Sequence, residues 1–549
     1  MFTKHPEQEF LFISRPFWLE MNAPLRLVRE KYRSYFGDSD VVIEDRTDAI
    51  SRLTLIVDKL QMQMVDRLKT ENPNSVVKDL YKILDESFHF YIKQKKARAK
   101  LIELGINSGD IGETFERNRD MVRNVIDAVN LWLENCLLYQ DSIDKPYNSE
   151  TFDVDYNLFI DLYIYGLASK ALSLLTLSKK LGDKSLFYGI RITPNDEEPM
   201  EVLRYHPVVY FNTLLTGNQN VFQMSREDYQ QAGNSEFGIG FKCEHGIDFL
   251  LALRTMSTLQ EKMLNAGKIA YTVIDKEDFI NWINTYTGKI VDGNLFFEAF
   301  ALTKEKILSQ VRGDDPIIWI MSTNRFRHEI RPIICLSDDR IAISYTALEQ
   351  AKQLWLSFFG NGGMIYSNYE DQITTAIEKR NKELSKKLVI ILREKLREHY
   401  AAGFDEIDVR YNRIFGSKPY DYGDYDLVFY AKDSNELFLI EAKFFSDSYN
   451  NSGIITDYEK LFKKKGYYDH CRKRYDLVLE EAEKVKEFIH VKGSIKVHFL
   501  FVSSKPLEIE FTDADGIVCF PCLSIFDNYL DAKLLPEVGD TPVRPTHTI

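Results

Sequence analysis

The sequence is poor in cysteine and has no long apolar runs, and each shortage excludes a class of protein. Its six cysteines are scattered along 549 residues, which predicts free thiols in a reducing compartment and argues against a disulfide-stapled fold. No uncharged apolar run reaches membrane-spanning length, and the first residues lack the basic and apolar segments of a signal peptide. We therefore expect a cytoplasmic protein that makes no membrane contact.

Positive charge is also in short supply. The formal net charge of −13 at pH 7 argues against a protein that coats nucleic acid with its whole surface, so any binding of nucleic acid must come from a local basic patch. The hydrophobic content of 44% is ample for packed cores, and the length predicts several domains rather than one.

The pattern of apolar residues along the chain changes at two places. Apolar residues recur at three- and four-residue spacing through most of residues 1–185, which predicts an α-helical module. Short strand-like runs then alternate with helices, which predicts a mixed α+β module over residues 186–362. The clearest linker signal is the glycine-rich segment Gly360-Asn-Gly-Gly363, and we place the main boundary there, before a third domain at residues 363–549.

The third domain contains a hairpin signal with charges in unusual places. Tyr425–Ala431 and Leu437–Ile440 are apolar runs around a polar turn, typical of two strands that are central in a sheet. Asp426 opens the first strand, while Glu441 and Lys443 end the second and share one face. Charges beside a buried hairpin cost free energy unless something binds them. A Mg²⁺ ion would compensate because it prefers oxygen ligands.

An Asp followed by Glu-x-Lys at the end of the next strand resembles the PD-(D/E)XK nuclease superfamily, although Tyr425 stands where the superfamily name has Pro. The resemblance implies an α/β C-terminal restriction-endonuclease-like domain with an α-β-β-β-α-β core. A mostly α-helical N-terminal region and a mixed α+β middle region would precede it. The sequence patterns predict that core order as helix 369–400, strands 406–415, 424–431 and 438–443, helix 457–491 and strand 496–502. An ordinary hairpin with a solvated Glu–Lys pair is the alternative.

The resemblance also implies roles for single residues. Asp426 and Glu441 would ligate Mg²⁺, or Mn²⁺ in its place, together with the backbone carbonyl of Ala442. Lys443 would orient the attacking water or stabilise charge on the phosphate. Many members add a glutamate from the first helix, and Glu383 is our candidate, with a solvated position on that helix as the alternative. Because two carboxylates in one site repel, we expect that removing one leaves stability unchanged or slightly higher.

Two clusters of basic residues could bind phosphates. The denser one lies in the second long helix, where we expect nucleic acid to contact Lys463, Lys464, Lys465, Arg472, Lys473 and Arg474. A basic helix face that is merely solvated is the alternative. The other cluster, Arg325, Arg327, His328 and Arg331, either contacts phosphates or neutralises acidic surface.

Taken together, the resemblance implies a Mg²⁺-dependent nuclease that hydrolyses phosphodiester bonds, with DNA as the favoured substrate. By analogy it would be an endonuclease of a bacterial restriction or anti-phage defence system. Two alternatives stay open, namely a catalytically idle nuclease fold that binds nucleic acid or a protein partner, and an RNA-cleaving nuclease. A homo-oligomer and a partner protein of a defence system are also open.

Overall fold

The computed structural model describes residues 17–103, 109–139, 154–180, 187–204, 226–266, 271–309, 325–336, 339–363, 371–446, 451–463, 465–507, 509–535 and 540–549. The chain forms two compact units. The first comprises the described residues up to Leu203 together with 226–360 and 371–378, and the second is centred on Lys379–Ile549. The division into three modules stays a prediction.

The N-terminal part is mostly helical, as the apolar spacing predicts. Its helices are α1 (Phe17–Glu20), α2 (Leu25–Phe36), α3 (Arg46–Thr70), α4 (Pro73–Glu103), α5 (Gly109–Cys136) and α6 (Tyr156–Lys180). A small sheet joins them, with β2 (Phe187–Ile192) between β1 (Val41–Ile43) and β3 (Met200–Arg204). Helix α3 begins where the Asp45 side chain accepts a hydrogen bond from the Asp48 backbone N–H, an ordinary N-cap.

Helix α6 is long and apolar enough to span a membrane by length and composition alone, although Asp161 and Lys170 interrupt its apolar run. Its most apolar 18-residue window is 83% buried inside the protein, and the helix packs against α3 and α5. A lipid-facing helix would expose that surface, so α6 has the burial of a core helix.

The middle of the chain mixes helices and strands, as predicted. Its sheet has the order β4-β7-β6-β5, formed by β4 (Thr272–Asp275), β5 (Ala301–Leu302), β6 (Ile333–Cys335) and β7 (Arg340–Ile343). The helices are α7 (Arg226–Gln231), α8 (Glu236–His245), α9 (Phe249–Asn265), α10 (Lys276–Tyr286), α11 (Gly293–Phe300), α12 (Lys304–Leu308) and α13 (Tyr345–Asn361).

The second unit is built on a six-stranded sheet. Its strands are β8 (Ala402–Arg410), β9 (Asp424–Ala431), β10 (Glu436–Lys443), β11 (Lys496–Ser503), β12 (Val518–Cys519) and β13 (His547–Thr548). The order is β12-β11-β10-β9-β8, with β13 beside β11. Strands β8, β9 and β10 are antiparallel neighbours, whereas β10 and β11 run parallel. A parallel pair needs a crossover, which the helices between β10 and β11 provide.

The helices of the second unit are α14 (Asp371–His399), of which residues 371–378 belong to the first unit, α15 (Tyr411–Phe415), α16 (Asn451–Phe462), α17 (Tyr467–Glu480), α18 (Ala482–Phe488) and α19 (Phe526–Leu530). Two predicted elements were wrong in extent. The strand predicted at 406–415 begins earlier and ends at Arg410, and the helix predicted at 457–491 is three helices. The chain breaks before α17 because Lys465 is left-handed, with φ of 65°, and a left-handed residue does not continue an α-helix.

Both faces of the hairpin β9–β10 are buried, as its continuous apolar runs predict. On one face Leu427 and Ile440 belong to a core with Leu388 and Leu392 of α14. On the other face Val428 and Leu439 belong to a core with buried residues of α17 and α18. Polar side chains therefore find water only near the strand ends.

The first residue of β10, Glu436, shows how this fold keeps a buried carboxylate ionised. Arg544 Nη1 and Nη2 lie 3.0 and 3.1 Å from its two oxygens, and His498 Nε2 lies 3.4 Å from Oε1. Burial by itself would raise the pKa of Glu436, but the nearby His498 and Arg544 side chains lower it to about 2.

This ion pair predicts a pH dependence of stability. The folded-state pKa of Glu436 lies below the unfolded value of about 4.3, so its stabilisation is complete above that pH and is lost as the pH falls toward 2. Between pH 6 and pH 3 we expect the wild type to lose about 1–2 kcal/mol that Glu436→Gln does not lose, after allowance for solvent screening. Urea unfolding of both proteins measures this difference. Parallel pH profiles would contradict it.

Candidate active site

The three residues of the predicted motif meet at neighbouring strand ends. Asp426 is the third residue of β9, and Glu441 and Lys443 are the sixth and eighth of β10. Ile440 pairs with Leu427, so the next step in register places Glu441 opposite Asp426. Residues directly opposite in an antiparallel pair lie on one face.

Lys443 lies between the two carboxylates. Its Nζ is 2.6 Å from Glu441 Oε1 and 3.0 Å from Asp426 Oδ2, and Asp426 Oδ2 also accepts a 2.7 Å hydrogen bond from the backbone N–H of Ala442. Burial would lower the pKa of Lys443, but the two carboxylates together raise it above its usual value. Lys443 beside these two carboxylates therefore carries its charge at neutral pH.

A second cation completes the site from the helix side. Arg474 of α17 is buried, and its Nη2 donates to Glu441 Oε2. Its Nη1 donates to the Tyr422 carbonyl oxygen at 2.8 Å, while the Tyr425 hydroxyl donates to the Arg474 carbonyl oxygen at 3.0 Å. We predicted that Arg474 would contact nucleic acid. That role is wrong, because the guanidinium is 4% exposed and is used by Glu441.

The pattern that could have placed Arg474 inside is visible in the sequence. Cys471, Tyr475 and Val478 of α17 are buried, and Arg474 follows Cys471 by three residues and precedes Val478 by four. Positions at that spacing share one helix face. The basic residues on both sides of Arg474 suggested an exposed position, whereas its spacing from Cys471 and Val478 indicates a buried one.

Two cations lie beside the two carboxylates, and Lys443 and Arg474 each bind one oxygen of Glu441. Burial and the charge of Asp426 raise the pKa of Glu441, and the two cations offset this rise only in part. The expectation that removal of one carboxylate relieves repulsion did not include these cations, and its outcome stays a prediction. Loss of Glu441 would leave two largely buried cations short of a partner, which costs stability.

The other predicted site residues lie elsewhere or face solvent. Glu383 is exposed and bonds to Arg380 at 3.3 Å, and its recorded contacts do not include Asp426, Glu441 or Lys443. Its catalytic role stays a prediction. Lys464 lies outside the described residues, whereas Lys463, Lys465 and Lys473 are exposed.

Two further arginines that we considered as phosphate ligands are instead bound by carboxylates. Arg472 is shared among the carboxylates of Asp476, Asp513 and Asp515 at 2.9–3.0 Å. In the first unit, Arg327 is buried and binds both oxygens of Glu134 at 2.8 and 2.9 Å. Arg327 therefore neither contacts phosphates nor neutralises acidic surface.

Asp408 was not among the residues predicted for the site. It lies in β8, where Ile407 pairs with Leu427 and Val409 with Tyr425, so that Asp408 faces Asp426 across the sheet. Its φ is +53°, a conformation that Asp tolerates better than most residues. Partial burial and the charges of Asp426 and Asp424 raise the pKa of Asp408.

The carboxylate oxygens of Asp426 and Glu441 are suitable ligands for Mg²⁺, provided that Lys443 moves out of the position between them. Within the described ranges no group of three or more His, Cys, Asp and Glu side chains is arranged to hold a metal. Asp426 and Glu441 are oxygen donors of the type that Mg²⁺ accepts while it keeps several waters. Lys443 Nζ would have to leave its position between them. Ala442, the third predicted ligand, pairs with Val502 in the sheet, and its N–H rather than its carbonyl meets Asp426.

Comparison with known proteins adds no relative. No protein-family model, no curated protein and no solved structure matches this chain. The geometry of these residues is therefore the support for a function.

The ion pair of Arg474 with Glu441 predicts an effect on the free energy of unfolding, which can be measured without an activity assay. Arg474→Met should destabilise the protein by about 3–5 kcal/mol, because it leaves Glu441 buried with one cation fewer. The double variant with Glu441→Gln should regain part of that loss. Arg397→Met is the matched control, since Arg397 is half exposed in its pair with Asp405 and should cost less than about 1 kcal/mol. Equal losses of unfolding free energy in Arg474→Met and Arg397→Met, measured by chemical denaturation, would argue against a special role for Arg474.

Proposed function

We propose that the second unit is a metal-dependent nuclease of the PD-(D/E)XK type, hydrolysing phosphodiester bonds in DNA. The observation that carries the proposal is the convergence of Asp426, Glu441 and Lys443, with Lys443 Nζ within 3.0 Å of both carboxylates. A largely buried charge cluster costs free energy to assemble, and perturbed charges of this kind concentrate at functional sites.

The arrangement of the second unit supports the same proposal. Helix α14 precedes β8, β9 and β10, which are successive antiparallel neighbours, and helices α16 to α18 lead to β11, parallel to β10. This succession is similar to the α-β-β-β-α-β core that the sequence resemblance implies. The short helix α15 and the division of the second helix are departures from it.

Each residue of the site has a definite task in this proposal. Asp426 and Glu441 would hold the ion, which when bound supplies a water of lowered pKa and neutralises charge at the phosphate. Lys443 would act as a donor to the attacking water or to a phosphate oxygen. Arg474 fixes the Glu441 carboxylate from behind.

The biological setting is part of the proposal by analogy. Nucleases of this superfamily that carry large accessory regions suggest a restriction or anti-phage defence enzyme in a bacterial cytoplasm. The second candidate is a catalytically idle fold that binds nucleic acid or a protein partner. An intact Asp426, Glu441 and Lys443 favours the active enzyme, because an idle site has no use for this costly cluster. RNA is the alternative substrate.

The decisive experiment is cleavage of plasmid DNA, single-stranded DNA and RNA in the presence of Mg²⁺ or Mn²⁺. We expect wild-type cleavage of DNA and none by Asp426→Asn, which keeps the shape of the side chain but removes the charge that binds the ion. Asp433→Asn is the control, because Asp433 lies in the turn between β9 and β10 and is exposed. Nucleic-acid binding without any cleavage would favour the idle fold.

A separate prediction concerns Lys443. Lys443→Ala should lower turnover about 10²-fold or more, the scale of losing one well-placed electrostatic donor, while DNA binding in Ca²⁺ changes little. Lys443→Arg should rescue little of this loss, because the planar guanidinium does not take the position of the ammonium between the two carboxylates. Single-turnover cleavage with saturating enzyme measures the effect. If binding falls in step with cleavage, Lys443 is a phosphate anchor instead.

A further inference from the structure

Four exposed lysines lie on α16, on α17 and in the turn between these helices, namely Lys460, Lys463, Lys465 and Lys473. Among the described residues, none of them forms an ion pair. Arg472, on the same helix as Lys473, is engaged by carboxylates. In a chain with a net charge of −13, this local excess of positive charge is complementary to a polyanion.

Tyr467 follows Lys465 by two residues and lies near Lys443 of the candidate site. It is the first residue of α17, and it remains 38% exposed. Its ring centroid lies 5.7 Å from Lys443 Nζ, and its ring meets Phe445 edge-on at 6.3 Å. Phe445 therefore supports the ring from one side while part of the ring stays open to solvent.

The helix geometry places Tyr467 over the reacting groups. Tyr467 and Arg474 are seven residues apart on α17, which puts both on one face of the helix. Arg474 binds Glu441, so the exposed ring lies on the side of α17 that faces the carboxylates. Single exposed aromatic residues are ordinary, but a ring beside Lys443, on a helix that also carries an exposed lysine, is a suitable stacking surface.

From this placement we propose that Tyr467 stacks on an unpaired base and that the substrate is single-stranded nucleic acid. The proposal rests on the nuclease function proposed above. In a duplex the faces of the bases are covered by their neighbours, so a protein ring stacks only on a base that has left the helix. The lysines would hold the phosphates of the same strand.

The test is binding without turnover, measured by fluorescence anisotropy in EDTA. The probes are labelled oligo-dT, labelled oligo-rU and a blunt DNA hairpin of equal length. The wild type should bind a single strand more tightly than the hairpin. Tyr467→Leu keeps an apolar side chain but no aromatic face, and it should weaken single-strand binding roughly 10-fold or more. Tyr467→Phe keeps the ring and should bind like the wild type.

Two further measurements are the affinity for the DNA hairpin and the salt dependence of binding. Tyr467→Leu should leave hairpin affinity unchanged. Lys463→Ala and Lys473→Ala should each flatten the slope of log K against log salt by about 0.7 on the single strand. The relative affinities for oligo-dT and oligo-rU assign the strand to DNA or RNA.

Several results would overturn the inference. They are tighter binding of the hairpin by the wild type, equal binding by Tyr467→Leu and Tyr467→Phe, and no binding of any probe. The outcome is separate from that of the proposed function, because no step in this experiment needs cleavage. A Tyr467→Leu protein that binds and cleaves single-stranded DNA like the wild type would sink the stacking role alone. A wild type that stacks single strands but never cleaves would sink the nuclease alone.

Discussion

The ammonium group of Lys443, held between Asp426 and Glu441, is the contact on which the candidate site depends. Glu441 is buried, and a buried carboxylate persists only when it is paired and hydrogen-bonded. Lys443 and Arg474 satisfy one oxygen each, so two cations balance two carboxylates. These charges hold the site together, and a metal ion bound by Asp426 and Glu441 would have to compete with Lys443 for the position between them.

Strand β10 carries two buried glutamates, and the comparison shows why only one belongs to a candidate site. Glu436 is bound by Arg544 and approached by His498, an arrangement that binds the C-terminal segment to the sheet. Glu441 instead faces a second carboxylate across the hairpin and shares a lysine with it. Burial is common to both, so burial does not identify the site. The opposed pair of carboxylates does.

Much of the second unit was predictable because its signals are local. The apolar runs around a polar turn predicted the hairpin β9–β10, and side-chain alternation placed Glu441 and Lys443 on one face. The boundaries failed where a single backbone conformation decides them, as at Lys465, whose left-handed φ separates α16 from α17. A side chain that reaches across the fold was also missed, since the contact of Arg474 with Glu441 joins residues 33 positions apart.

The sequence by itself determined the hairpin, its two buried faces and the identity of Asp426, Glu441 and Lys443, because these follow from periodicity and residue type within a short stretch. Only the tertiary structure decided that Lys443 lies between the carboxylates, that Arg474 turns inward and that Asp408 faces Asp426. The physical reason is that charge pairing depends on distances between atoms of different strands and helices. Those distances exist only once both faces of the sheet are packed.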